Sequence, residues 1–261
     1  MADSPRTGDA TPPHRRIVAV GLKTYLGYQQ TLDWLDALAA SARVFADRLD
    51  MVVFPVSPAL PAAVALGRRA GFTVGAQDVS EQPAGAFTGE TPAGLLAELG
   101  VRYVEIGHAE RRFLFGETSD LVVRKVEATV AAGLIPLICV GEGRIGNRTS
   151  VEVEQGLAQT IDQLEEVLPA LHDLGPFVVA YEPVWAIGAD QPAPTAHVRA
   201  VAAGLRERLL PFPAARVIYG GTAGPGLFAE LADATDGLFL GRRAHDPAAL
   251  AEVLSEVVGA P

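Results

Sequence analysis

Cysteine occurs once in the 261 residues, at Cys139, so no intrachain disulfide can form and the fold must stand on its core. A lone cysteine fits a reducing compartment, and a cytoplasmic location is the expectation. Cys139 lies in an apolar run, where a free thiol reads as core rather than nucleophile. Tryptophan and methionine occur twice each and aromatics make up 7% of the chain, so small and medium aliphatic side chains must fill the interior. With 49% hydrophobic residues that interior can be large, which excludes a disordered or fibrous chain. Positive charge is also short: 21 Lys and Arg face 31 Asp and Glu, a formal net charge of −10. Such a field repels a phosphate backbone, and no nucleic acid partner is expected. No run approaches the ~18 apolar residues of a membrane span, so no membrane association is expected either. Residues 1–16 are polar, carry Pro5, Pro12 and Pro13, and lack the apolar segment of a signal peptide. They read as a flexible N-terminal tail before one catalytic domain, residues 17–261. Histidine and cysteine do not cluster at ligand spacing, so no metal is expected, and no glycine-rich dinucleotide turn follows the first apolar run.

What the chain does have is a recurring pattern. Apolar, β-rich runs occupy residues 17–20, 51–54, 72–76, 102–106, 134–140, 177–181, 216–219 and 237–240. Segments with helical spacing lie between them, such as Leu32, Leu35, Leu38 and Ala39, or Leu157, Ile161, Leu164 and Val167. Eight strands alternating with helices imply parallel pairing, and the economical α/β architecture is a single (β/α)8 barrel with a closed eight-stranded sheet.

In such a barrel the C-terminal ends of the strands carry the active site. Here the first strand ends in Gly21-Leu22-Lys23 and the fourth runs through Glu105-Ile106-Gly107-His108-Ala109-Glu110-Arg111-Arg112. The sixth delivers Glu182, the seventh Gly220-Gly221-Thr222 and the eighth Gly241-Arg242-Arg243. Taken singly, Lys23 reads as a solvated lysine, His108 as a hydrogen-bonded structural histidine, Glu182 as a strand-end cap and the glycines as tight turns. Taken together they supply a cation, an imidazole that a following helix N-terminus keeps neutral, a carboxylate base and turns whose N–H groups bind phosphate. That set suits proton abstraction beside a carbonyl, with the enediolate stabilised as it forms and no cofactor required. Arg111 and Arg112 read as structural, pairing with Glu117 or Glu142. His14, His172 and His197 carry no signal, and Arg243 and His245 read as caps or ion-pair members of the last helix.

Residues 75–77, the loop Gly85-Ala86-Phe87-Thr88-Gly89-Glu90, residues 107–112, Phe115-Gly116-Glu117, residues 138–142, residues 180–188 and Tyr219-Gly220-Gly221 follow one another as a known family's motifs do. Over essentially its whole length after the tail, the chain resembles the triosephosphate isomerases, the family that gave the TIM barrel its name. The resemblance implies Glu182 as base, His108 as neutral electrophile, Lys23 as electrostatic partner and Glu110 as a supporting carboxylate; this division of labour is the family's own. It implies a lid beginning at Pro183 that closes over the substrate and excludes water. It also implies substrate contacts at Lys23, Gly188, Thr222, Gly241 and Arg242, and a homodimer formed through the 85–90 loop. The departures fall at the site. Gly21 stands where the family has asparagine, which removes a polar contact and opens space, and Ala109 replaces a serine. Ala189-Asp190-Gln191-Pro192-Ala193 replaces the usual second half of the lid, and Arg242 replaces one of two paired glycines. The leading expectation is an aldose–ketose isomerase interconverting dihydroxyacetone phosphate and glyceraldehyde 3-phosphate. The alternatives are an isomerase of a four-carbon ketose phosphate such as erythrulose phosphate, or a non-catalytic barrel that binds a sugar phosphate.

Overall fold

A computed structural model describes residues 15–171 and 175–260. Residues 1–14 of the expected tail, with His14, lie outside the described residues, as does His172. Arg15 and Arg16, at the end of that tail, are tied to the body: Arg15 donates to the Leu49 carbonyl at 2.7 Å and Arg16 to those of Val257 and Ala260 at 2.9 Å.

The strands are β1 (Ile17–Gly21), β2 (Asp50–Phe54), β3 (Thr73–Ala76), β4 (Tyr103–Ile106), β5 (Ile135–Val140), β6 (Phe177–Tyr181), β7 (Ala215–Gly220) and β8 (Gly237–Leu240). They pair in sequence order, all parallel, and β8 returns to β1 to close the barrel. The single (β/α)8 barrel read from the periodicity is therefore the fold. Around it run α1 (Tyr28–Phe45), α2 (Leu60–Ala70), α3 (Ala93–Leu99), α4 (Ala109–Leu114), α5 (Ser119–Ala131), α6 (Val153–Val167), α7 (Thr195–Arg208), α8 (Leu227–Leu231) and α9 (Pro247–Gly259). The helices form where the sequence pays for it locally. In α1 the buried stripe is Leu35, Leu38, Ala39, Ala42 and Phe45, the spacing of one helical face. Thr118 caps α5 by accepting the Leu121 N–H, and Asp246 caps α9 by accepting that of Ala248. The cap of α9 is thus Asp246 and neither Arg243 nor His245. Those two lie in the preceding 3₁₀ turn, where Arg243 donates to the Asp190 carbonyl and His245 meets the Tyr25 ring edge-on.

Strand side chains alternate between two cores. Outward ones such as Val18, Val53, Val104 and Ile138 pack beneath the helices, while Ala19, Phe54, Leu137, Val178 and Ile218 fill the barrel itself. Cys139 belongs to the inner set at 2% exposure, and burial pushes its thiol pKa well up, which leaves an inert core thiol. The N-terminal end of the barrel is plugged by Arg216, whose guanidinium reaches Asp50 at 2.6 Å and the Tyr103 hydroxyl at 3.0 Å. The barrel interior is therefore closed at this end.

Closure leaves no space for a side chain on β8 where it meets β1. A Cβ on Gly237 would lie 1.7 Å from the Ile17 carbonyl oxygen, a backbone atom that cannot move aside. Gly237→Ala is expected to cost about 3 kcal/mol or more, read as a lowered urea midpoint; an unchanged midpoint would contradict this account of closure.

Candidate active site

Lys23 follows β1 in a left-handed backbone conformation, φ 48°, which is costly for a residue with a Cβ. That conformation and the side chain's half-buried position bring its ammonium to Glu110, 2.6 Å from Oε1. Burial pulls the lysine pKa down, but the hydrogen bond and charge of Glu110 outweigh it; the net direction is up, so Lys23 is a cation. Glu110 also fixes the histidine. Its backbone N–H donates to His108 Nδ1 at 3.1 Å, which makes Nδ1 the acceptor and leaves the proton on Nε2. Burial, opposed by the charge of Glu182, lowers the His108 pKa below the ordinary imidazole value. The direction is the one expected from a helix dipole, but desolvation is its largest cause, with the hydrogen bond at Nδ1 beside it. The helix that His108 caps is only the six residues of α4.

Glu182 follows β6 and is 7% exposed. Its Oε2 is buried without a hydrogen-bond partner among the described residues and lies 3.6 Å from His108 Nε2. Gly220 makes room for it, since a Cβ there would stand 2.6 Å from Oε1. An unpaired carboxylate, a neutral N–H donor and an ammonium thus face one cavity of about 570 Å³, which Glu105, Gly21 and Phe239 also line. The arrangement can remove a proton from carbon, donate a hydrogen bond to a neighbouring oxygen and balance the charge that develops there.

Gly188, Thr222, Gly241 and Arg242 line the far end of the same cavity. Thr222 directs its hydroxyl away from it, to the Ala186 and Ala189 carbonyls at 2.9 Å, and so ties the β7 turn to the lid. Arg242 lies near Gly188 and over the Tyr25 ring, its guanidinium carbon 5.7 Å from the ring centroid. The lid segment starts with a 3₁₀ turn, Val184–Ala186, and is held at both ends. At its start, fully buried Glu142 accepts from the Trp185 indole at 2.8 Å and from the Tyr181 hydroxyl, and pairs with His197 Nε2 at 3.0 Å. After Pro192, the Ala193 N–H donates to the Tyr219 hydroxyl at 3.1 Å.

These contacts correct three readings. Glu142 does not pair with an arginine; its side-chain partners are Tyr181, Trp185 and His197. His197 is buried in that network, although its helix alone gave no sign of it. Arg112 donates to the Gly107 carbonyl at 2.9 Å instead of forming an ion pair, while Arg111 does pair with Glu117 at 2.7 Å and also with Asp78 at 2.9 Å. The space beside Gly21 is also not simply open. The Phe239 ring lies 3.2 Å from where a Cβ would be, so the family's asparagine and this phenyl compete for one place. Two site residues escaped the sequence reading. Arg148 lines the cavity and donates to the Ile187 carbonyl at 2.5 Å, across 39 residues of chain. Glu105 shares inward parity with Tyr103, a signal that a charge within an apolar strand could have raised.

The family model for triosephosphate isomerase matches residues 16–257. The L-erythrulose-1-phosphate isomerase of Pectobacterium atrosepticum is 44% identical, covering 92% of this chain and 94% of its own. The triosephosphate isomerase of Alkalilimnicola ehrlichii is 39% identical, covering 83% and 89%, and triosephosphate isomerase 2 of Listeria innocua is 32% identical, covering 92% and 96%. The fold and site define an isomerase barrel. The chain belongs to the triosephosphate isomerase family.

At pH 6.5, where a free imidazole is about half protonated, His108 is expected to be mostly neutral with its proton on Nε2. Histidine 15N NMR reads this directly, and an imidazolium or an Nδ1–H tautomer at that pH would contradict the assignment.

Proposed function

We propose that the protein is a cofactor-independent isomerase of a four-carbon ketose phosphate. In this reading the Glu182 carboxylate takes the proton from the carbon beside the carbonyl and returns it to the former carbonyl carbon. His108 Nε2–H donates to the substrate oxygens while the enediolate exists, and Lys23, steadied by Glu110, balances its charge. For a ketose 1-phosphate of four carbons the proton leaves C3 and returns to C2, the C3 hydroxyl proton passes to the C2 oxygen, and the carbonyl moves from C2 to C3. Both partners are then ketoses, and a hydroxymethyl group occupies the position at the reacting carbon where a triose has hydrogen. The phosphate is assigned to the end lined by Gly188, Thr222, Gly241 and Arg242, where backbone N–H groups and a guanidinium suit an anion.

Gly21 in place of the family's asparagine carries the choice of substrate, because it remakes the wall beside the reacting carbons. Identity of 44% over 92% of the chain with a relative named for L-erythrulose 1-phosphate supports it. Triose isomerisation, the leading reading of the sequence, stays the second reading, favoured by the intact Lys23, His108 and Glu182. The homodimer is part of the proposal. The 85–90 loop is exposed, with Phe87 40% exposed on it, which suits insertion into a second copy. A cytoplasmic location belongs to the same reading; among the described residues no helix is long and apolar enough to cross a membrane.

Turnover of three- and four-carbon ketose phosphates, followed by NMR in deuterated water, tests the substrate. We expect kcat/KM for the tetrulose phosphate to exceed that for dihydroxyacetone phosphate by about tenfold or more, and the reverse order would return the triose. Glu182→Gln is expected to lower kcat about 10²- to 10⁴-fold while phosphosugar binding persists; wild-type turnover in that variant would refute the base.

A further inference from the structure

Besides the exposed Asp190, three carboxyl groups line the cavity, and two have evident employment: Glu110 holds Lys23, and Glu182 stands against His108. Glu105 has none. It makes no hydrogen bond or ion pair with any described residue, although it is 7% exposed. Its position is dictated by the alternation of β4. Val104 and Ile106 face the helices, Tyr103 faces the barrel interior, and Glu105 shares the parity of Tyr103 one level nearer the mouth. Its β5 neighbour in the ladder is Leu137, an aliphatic of the inner core, so the carboxyl rises from an apolar layer into the cavity floor.

A buried carboxyl without a partner costs free energy, and an aliphatic residue there would complete the inner core. The cost is offset only if something that enters the cavity pairs with it. Burial, and then the charge of Glu182, push the Glu105 pKa well above the ordinary carboxylate range, while Lys23, which opposes this, is already committed to Glu110. That direction favours the neutral acid. In that form it both donates and accepts, as an alcohol does, and it adds no second charge beside the base.

We propose that Glu105 recognises the substituent on the reacting carbon, by hydrogen-bonding the terminal hydroxymethyl group of a four-carbon ketose phosphate. The inference rests on the four-carbon reading of the site. A triose lacks this hydroxyl and leaves the acid to water. The ring of Phe239, seated beside Gly21 on the same cavity, gives the methylene of that group an apolar wall.

The test uses Glu105→Leu and Glu105→Gln. Removing a buried, unpaired carboxyl does not endanger the fold, so both variants should be as stable as the wild type or more so. Turnover of a tetrulose phosphate and of dihydroxyacetone phosphate is one readout. The other is affinity for a tetritol phosphate against glycerol 3-phosphate, a non-reacting pair that differs by one hydroxymethyl group. Glu105→Leu should lower kcat/KM for the tetrulose phosphate about tenfold to a hundredfold and weaken the tetritol phosphate, with both triose-sized ligands changed by less than about threefold. Glu105→Gln, whose amide also donates and accepts, should keep most of the four-carbon preference. If Glu105→Leu leaves the ratio of the two substrates unchanged, or loses both alike, the assignment falls while a wild-type preference for four carbons stands. If the wild type prefers the triose, the four-carbon reading falls, and the non-reacting pair still decides: a tetritol phosphate bound equally by wild type and Glu105→Leu overturns the role of Glu105, and selective weakening sustains it.

Discussion

β8 meets β1 through the pairs from Ile17 with Gly237 to Val20 with Leu240, and because every strand runs parallel, this last ladder brings eight C-terminal ends to one mouth. Lys23, His108 and Glu182 are separated by 85 and 74 residues of chain and meet only because the sheet closes. At the opposite end Arg216, Asp50 and Tyr103 close the barrel interior with their own pairing. Closure therefore fixes both where the cavity is and which residues can reach it. It also explains why the backbone leaves least room at Gly237 and Gly141, where the carbonyl oxygens of Ile17 and Glu182 would lie 1.7 and 1.9 Å from a Cβ.

Within the mouth, electrostatics divide three carboxyl groups among three states. Glu110 is paired with a cation, Glu182 has an oxygen buried without a partner, and the Glu105 pKa is pushed well up. Burial and the nearby charge of Glu182 both oppose a further negative charge on the cavity floor, which is why the Glu105 pKa moves up. Glu110 has a second effect through its backbone, since its N–H sets the histidine tautomer. A single residue thus governs the charge of Lys23 through its side chain and the donor character of His108 through its main chain. Behind it, Lys125 joins Asp78 at 2.6 Å and Glu117 at 2.5 Å, and Arg111 joins the same two carboxylates, so that α4 is braced against the loop after β3 and against α5.

The lid is anchored by polar contacts at its ends and by arginines across its span. Glu142 and Tyr219 hold the two ends to β5 and β7, while Arg148, Arg242 and Arg243 donate to the carbonyls of Ile187, Gly188 and Asp190. Carbonyls exposed along this segment are the natural partners of guanidinium groups, and in an acidic protein these three concentrate positive charge at the end of the cavity assigned to phosphate. Pro192 stands one residue before the Ala193 anchor, so its fixed φ stiffens the segment at the point where the strap rejoins the body.

The eight β-rich runs, their alternation with helical segments and the residues at the strand ends were legible in the sequence, because strand and helix periodicity are local and a parallel barrel converts strand ends into site positions by rule. Lys23, His108, Glu110 and Glu182 were legible for the same reason, each a chemically distinctive residue at a predictable place. Contacts that join residues far apart were not legible. His197 reaches Glu142 across 55 residues and Arg148 reaches Ile187 across 39, and nothing in the local sequence of either announces the partner. The raised pKa of Glu105 also belongs to the tertiary structure, since it depends on burial and on the charge of Glu182 from another strand. So does the filling of the space beside Gly21 by Phe239, a residue 218 positions away. Local periodicity determined the barrel and which side chains stand at its mouth; packing across the closed sheet decided the direction of their pKa shifts, their partners and the shape of the space they face.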